Sequence, residues 1–139
     1  MEKEIYALAF DIGTTGVKTC LFKIGKTIEL ISAASEGYKL YIMPNGGAEQ
    51  DPDEWWQAMC STSKKGIAES GVDPKEIYGI SFCSQMQGLV LVDKDGNHVR
   101  RAFSYMDQRA TEELKKGIAY GPQIAGANIL KLLPSLAIT

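Results

Sequence analysis

The stretch Asp11-Ile12-Gly13-Thr14-Thr15-Gly16 restricts this chain more than any other, because strand-like residues lie immediately on both sides of it. Ile5 to Phe10 is a continuous apolar run that ends at Asp11, and Val17 to Lys23 resumes the same character. So short a join forces strand, tight turn, strand. A third run, Thr27 to Ala34, follows Gly25-Lys26 and predicts a three-stranded antiparallel meander opening the domain. The next element changes period. Asp51-Pro52-Asp53-Glu54 supplies an N-cap, a proline at the first helical position and an acid in the first turn, and Gly71 waits beyond the far end. Residues 52–70 are therefore predicted helical, with Trp56, Met59, Cys60, Ser63 and Ile67 on one face and the Trp55-Trp56 pair in the core. After Pro74, Ile77 to Cys83 reads as a buried strand. Leu89 to Asp93 and Val99 to Tyr105 then flank Asp95-Gly96, a hairpin signal. Asp107 is a candidate N-cap for a short helix running to Gly117, with Glu112 and Lys116 spaced to pair; beyond Gly117 the pattern weakens.

Composition narrows the partners. With 139 residues and 45% hydrophobic side chains the chain can bury one sizeable core, and a second full domain does not fit. Fifteen basic and 17 acidic residues give a net charge of −2, which excludes a nucleic-acid or anionic-membrane partner of the usual basic kind. The uncharged stretch Ile77 to Val92 is too short and too polar to span a bilayer, and MEKEIYALAF is no signal peptide, so a cytoplasmic location is expected. Cys20, Cys60 and Cys83 are odd in number, widely spaced and set in apolar sequence, which favours reduced core thiols. His98, the only histidine, cannot by itself make a histidine-type metal site.

Chemistry concentrates at the first turn. Gly13 and Gly16 let the backbone approach a ligand, Thr14 and Thr15 add hydroxyl and amide donors for phosphate oxygens, and Asp11 can hold hydrated Mg2+. No lysine directly follows the last glycine and a strand rather than a helix continues the chain, so this is not a Walker loop. An ordinary hairpin turn with Asp11 as a local hydrogen-bond acceptor accounts for the same residues.

Four segments occur together in one order: DIGTTGVK at the first strand, AEQDPDEWW before the helix, SQMQG after the fourth strand and AFSYMDQRA beyond the hairpin. In this the chain resembles the N-terminal domain of the FGGY carbohydrate kinases, within the actin-like ATPase superfamily. The resemblance implies an α/β, ribonuclease-H-like fold with a mixed five-stranded sheet and flanking helices. It implies transfer of the terminal phosphoryl group of ATP, with Mg2+, to a hydroxyl of a sugar or polyol. Carried onto matching positions, Asp11 would bear on the metal, Gly13, Thr14 and Thr15 would face the phosphates, and Lys18 could approach them unless it simply faces solvent.

Gln85, Met86 and Gln87 match the family's sugar-contacting segment, and Tyr105, Asp107 and Arg109 the far wall of that pocket. Xylulokinases typically carry histidine at the position of Gln87, and glycerol kinases carry arginine and glutamate at Met86 and Gln87; neither pattern is complete here, and the reading is xylulokinase-like. Simpler roles stay open: Met86 in the core, Asp107 as a helix cap, Arg109 as its surface partner. The family's general base lies in a glycine-aspartate motif downstream of Thr139, so no catalytic base is assigned in this chain, which is expected to be inactive alone. The expected partners are a sugar or polyol and a C-terminal kinase domain, and a homo-oligomer is compatible. A non-catalytic sugar- or phosphate-binding or assembly module, using apolar surface of residues 118–139, is the alternative.

Overall fold

The computed structural model describes residues 4–116, 123–124 and 127–128. Strands β1 (Ile5–Ile12), β2 (Gly16–Ile24) and β3 (Ile28–Gly37) form the expected antiparallel meander. After β4 (Tyr41–Ile42) and β5 (Ala48–Gln50), helix α1 (Pro52–Ser70) crosses over, and a 3-10 turn (Pro74–Glu76) delivers β6 (Ile77–Ser84) parallel to β1. Among the described residues the main sheet is mixed and four-stranded, in the order β3-β2-β1-β6, rather than five-stranded. The run that could have supplied another strand goes elsewhere. Leu89 pairs with Phe103 and Val92 with His98 around the Asp93–Asn97 turn, while β7 (Ala102–Phe103) joins β5 in a second, three-stranded sheet, β4-β5-β7. A short α2 (Thr111–Leu114) and the pair β8 (Gln123–Ile124) and β9 (Ala127–Asn128) follow. No helix among the described residues is long and apolar enough to cross a membrane. The expectation for residues 118–139 falls largely outside the described residues.

The termini of α1 follow the sequence signals. The Asp51 carboxylate accepts from Asp53 N–H at 3.0 Å, and Gly71 closes the helix in the left-handed region at φ 70°. Its packing face differs from the expected one. Ala58, Thr62 and Gly66 are buried, Met59 and Ile67 flank them, and Trp56 is 65% exposed. The helix lies close against β2 and β3, and close approach selects small side chains: Gly66 offers its carbonyl to Ser32 Oγ at 2.8 Å. The core beneath it is Leu8, Phe10, Val17, Leu21 and Ala58.

Because α1 sits over β2 and β3, the β6 flank of the same face stays open. Ile80 and Phe82 pair in register with Leu8 and Phe10, yet Phe82 is 70% exposed, so among the described residues the expected buried strand is an edge strand with an exposed face. The thiols are free, as expected, but none is a core residue: Cys20 and Cys60 are half-buried and Cys83 on β6 is exposed.

One polar contact is sealed inside this interface. Thr62 Oγ1 donates to Ala58 O at 2.7 Å, which leaves it to accept from Thr19 Oγ1, also at 2.7 Å. Thr62→Val strands the buried Thr19 donor and should cost about 1–3 kcal/mol. Urea unfolding should show that loss, and the Thr19→Val/Thr62→Val pair should recover most of it; a double variant as weak as the single would contradict the assignment.

Candidate functional site

Parallel neighbours β1 and β6 end level with one another, Ile12 opposite Ser84, and Gln85 N–H donates to Ile12 O at 2.7 Å. The two chemistry-bearing segments, DIGTTG and SQMQG, therefore leave the sheet at the same edge. Ligands of α/β sheets collect beyond the carboxyl ends of parallel strands.

The turn after β1 closes by Gly13 N–H donating to Gly16 O at 2.9 Å. Tyr38, directly after β3, clamps it: its hydroxyl lies against the Gly13 and Gly16 carbonyls, and its N–H donates to Thr15 O at 3.3 Å. Burial, with the nearby Asp11 charge, pushes the Tyr38 phenol up, so it stays a protonated donor. Gly16 is demanded by space, since a Cβ there would sit 2.6 Å from Glu36 O. Sequence reasoning missed Tyr38, whose only signal is its place after Gly37.

Beside this turn lies an open groove of about 420 Å³ lined by Asp11, Gly13, Thr15, Gly16, Lys18 and Ser35, among others. Asp11 is exposed; Cys83 Sγ approaches its Oδ1 at 3.5 Å, and that carboxylate holds the thiol up in its protonated form. An accessible carboxylate, in a groove that Thr15 and Ser35 also line, suits a hard cation such as Mg2+, which keeps waters and phosphate oxygens as its remaining ligands. Lys18, opposite Asp11 across β1 and β2, is exposed and lines the groove. Gly13 contributes space here, since its amide is used within the turn. Thr14 is partly withdrawn, its carbonyl accepting from Gln50 Nε2 at 2.8 Å.

A second, more enclosed cavity of about 310 Å³ opens one peptide along, lined by Ile12, Gln50, Trp55, Gln85, Gln87 and Phe103, among others. Gln50 is 1% exposed and joins the two openings, donating to Thr14 O and accepting from Gln85 Nε2 at 2.7 Å. Gln87 holds a left-handed backbone, φ 63°, a conformation that costs a non-glycine residue of order 1 kcal/mol and that recurs where a side chain is aimed at a ligand. Met86 and Tyr105 are exposed and do not line this cavity. Gln50 and Trp55 were visible in AEQDPDEWW, but a helical period assigns Trp55 only to packing.

The N-terminal domain model of the FGGY family of carbohydrate kinases matches residues 6–126. The chain belongs to this family. A xylulose kinase of Staphylococcus epidermidis is 33% identical over 140 residues, covering 96% of this chain and 28% of that protein. A glycerol kinase of Rhizobium meliloti is 27% identical over 146 residues, covering 94% and 29%. Among solved structures, a gluconate kinase from Lactobacillus acidophilus superposes with TM-score 0.75 at 25% identity, over 86% of this chain and 23% of that one. A ligand-bound xylulose kinase from the same organism gives 0.73 at 25% identity, over 84% and 23%. The fold is thus that of the actin-like sugar kinases, and the chain spans under a third of the length of these relatives.

In this FGGY domain, Asp107 does not cap a helix. Ala110 stands at the N-cap position of α2 without a side-chain cap, and Glu112 pairs with Lys115 at 2.9 Å. The Asp107 carboxylate instead accepts from Ala48 N–H at 2.9 Å and from Arg109 Nη2 at 2.5 Å, and Arg109 reaches Glu49 Oε1 at 2.6 Å. Arg100 also pairs with Glu49, whose side chain is 8% exposed against 9% for Asp107. This network pins β5, and so Gln50, from the far side. Arg109 beside Asp107 holds its carboxyl well below the usual carboxylate range. Stability from a depressed carboxyl is fully present above its unfolded pKa of about 3.9 and is lost as pH falls through the folded value. Wild type should exceed Asp107→Asn in urea midpoint by a constant margin above about pH 5, a margin that narrows below about pH 4. A margin unchanged down to pH 2 would contradict the pairing.

Proposed function

We propose that this chain is the N-terminal part of an ATP-dependent, xylulokinase-like carbohydrate kinase. The observation that carries the reading is one strand end shared by two openings: Asp11 lines the open groove and Ile12, next along β1, the enclosed cavity. A phosphoryl donor in one would lie beside an acceptor in the other, and such transfer depends mainly on positioning and charge neutralisation. Asp11 would hold Mg2+, which supplies charge neutralisation at the transferring phosphoryl group. Thr14 and Thr15, with the space left at Gly13, would cradle the phosphates. Gln85 and Gln87 would bind the acceptor, since neutral amides match hydroxyls that donate and accept. Met86 and Tyr105 would meet the acceptor only from outside the cavity, and Asp107 and Arg109 act as positioning residues through β5.

The acceptor oxygen bonds to the terminal phosphorus as the bond to the bridging oxygen breaks, and ADP leaves. The hydroxyl proton goes to a base assigned beyond Thr139. Free thiols and an intracellular nucleotide donor fit a cytoplasmic setting. Neutral residues at 86 and 87, where glycerol kinases carry charge, favour a pentulose over glycerol.

Residues 1–139 alone should form no sugar phosphate from MgATP and a panel of pentuloses, hexuloses, gluconate and glycerol. The full-length protein should phosphorylate D-xylulose, and Asp11→Ala should lower kcat at least about a hundredfold with the melting temperature unchanged. Saturable turnover by residues 1–139, or an Asp11→Ala enzyme as fast as wild type, would contradict the reading. Sugar binding without turnover in the full-length protein would favour the non-catalytic module.

A further inference from the structure

Gln50 sets the polarity of everything hydrogen-bonded to it. The Thr14 carbonyl can only accept, so the Gln50 amide must present its NH2 to it, at 2.8 Å. Gln50 Oε1 then faces Gln85 and can only accept, so Gln85 must present its own NH2, at 2.7 Å. That leaves Gln85 Oε1 buried, with no hydrogen-bond partner among the described residues. Trp55 Nε1 is buried and unpartnered in the same way. Both side chains line the same cavity beside Gln50. Buried polar atoms are rarely left unpaired, and here one donor and one acceptor sit within the walls of a single cavity.

We propose that Gln50 and Trp55, with Gln85, form a relay that recognises ligand hydroxyls in this cavity, Gln50 acting as the positioning residue that fixes which end of the Gln85 amide faces the ligand. Gln85 Oε1 takes a hydrogen bond from a ligand O–H, and Trp55 Nε1–H gives one to a ligand oxygen. A hydroxyl satisfies both demands, whereas a carboxylate or phosphate offers Gln85 no proton. Because the relay starts at the Thr14 carbonyl, the acceptor cavity and the turn beside the groove are held in one register. This rests on the sugar-kinase reading and extends it to residues outside the SQMQG segment.

Binding of D-xylulose and of its monodeoxy analogues to the full-length protein, measured by calorimetry, tests the relay. Wild type should bind at least one monodeoxy analogue about tenfold more weakly than D-xylulose, because a site built to bond a hydroxyl rejects its absence. Trp55→Phe keeps an aromatic side chain, though a smaller one, and loses the donor; Gln50→Met keeps the volume and frees the Gln85 amide to turn. Each should bind D-xylulose more weakly and reduce that discrimination to about twofold or less. Simple loosening of the fold would weaken sugar and analogue equally. Either variant that folds, judged by its thermal midpoint, decides the matter. Unchanged discrimination in a folded variant overturns the relay and leaves the kinase reading intact. No binding of D-xylulose or any analogue by wild type overturns the acceptor assignment itself.

Discussion

The arrangement depends on one close approach, between the turn after β1 and the end of β3. Gly16 passes so near Glu36 O that no side chain fits, and this proximity lets Tyr38 lay its hydroxyl across the Gly13 and Gly16 carbonyls. A turn held from two sides loses little further freedom when it meets a ligand, which is the physical content of preorganisation. Asp11 stands at its entrance and Gln85 beside its base, so movement of the turn would shift both openings together.

The second sheet supports the first in an indirect way. Three-residue β5 carries Ala48, Glu49 and Gln50, all buried, and each is held differently. Asp107 takes the Ala48 amide, Arg100 and Arg109 neutralise Glu49, and Gln50 reaches across to Thr14 in the turn after β1. A buried carboxylate is tolerable only when paired this fully, and the pairing makes a short strand a fixed platform.

Local signals carried much of the fold. The meander, the limits of α1 and the Asp-Gly turn each follow from residues adjacent in sequence, which is why they could be read from it. Burial could not be read so directly. Large apolar side chains suggested a helix face through Trp56, but α1 approaches the sheet on Ala58, Thr62 and Gly66, because closeness and not residue size decided the contact. Ile80 and Phe82 look like core residues in sequence and lie on an uncovered flank, since coverage depends on where α1 comes to rest. In the site, Asp11, Gly13 and Thr15 and the glutamines at 85 and 87 stand at the two openings. The roles of Gln50 and Trp55 were not legible within AEQDPDEWW, because a buried glutamine acquires its role only from partners dozens of residues away.

The most direct test is a crystal structure of the full-length protein with D-xylulose and a non-hydrolysable magnesium nucleotide. The terminal phosphate should lie against the Gly13 to Thr15 backbone, with the metal on the Asp11 side and a sugar hydroxyl between Gln85 and Trp55. Phosphates seated away from that turn, with Asp11 facing only protein, would contradict it.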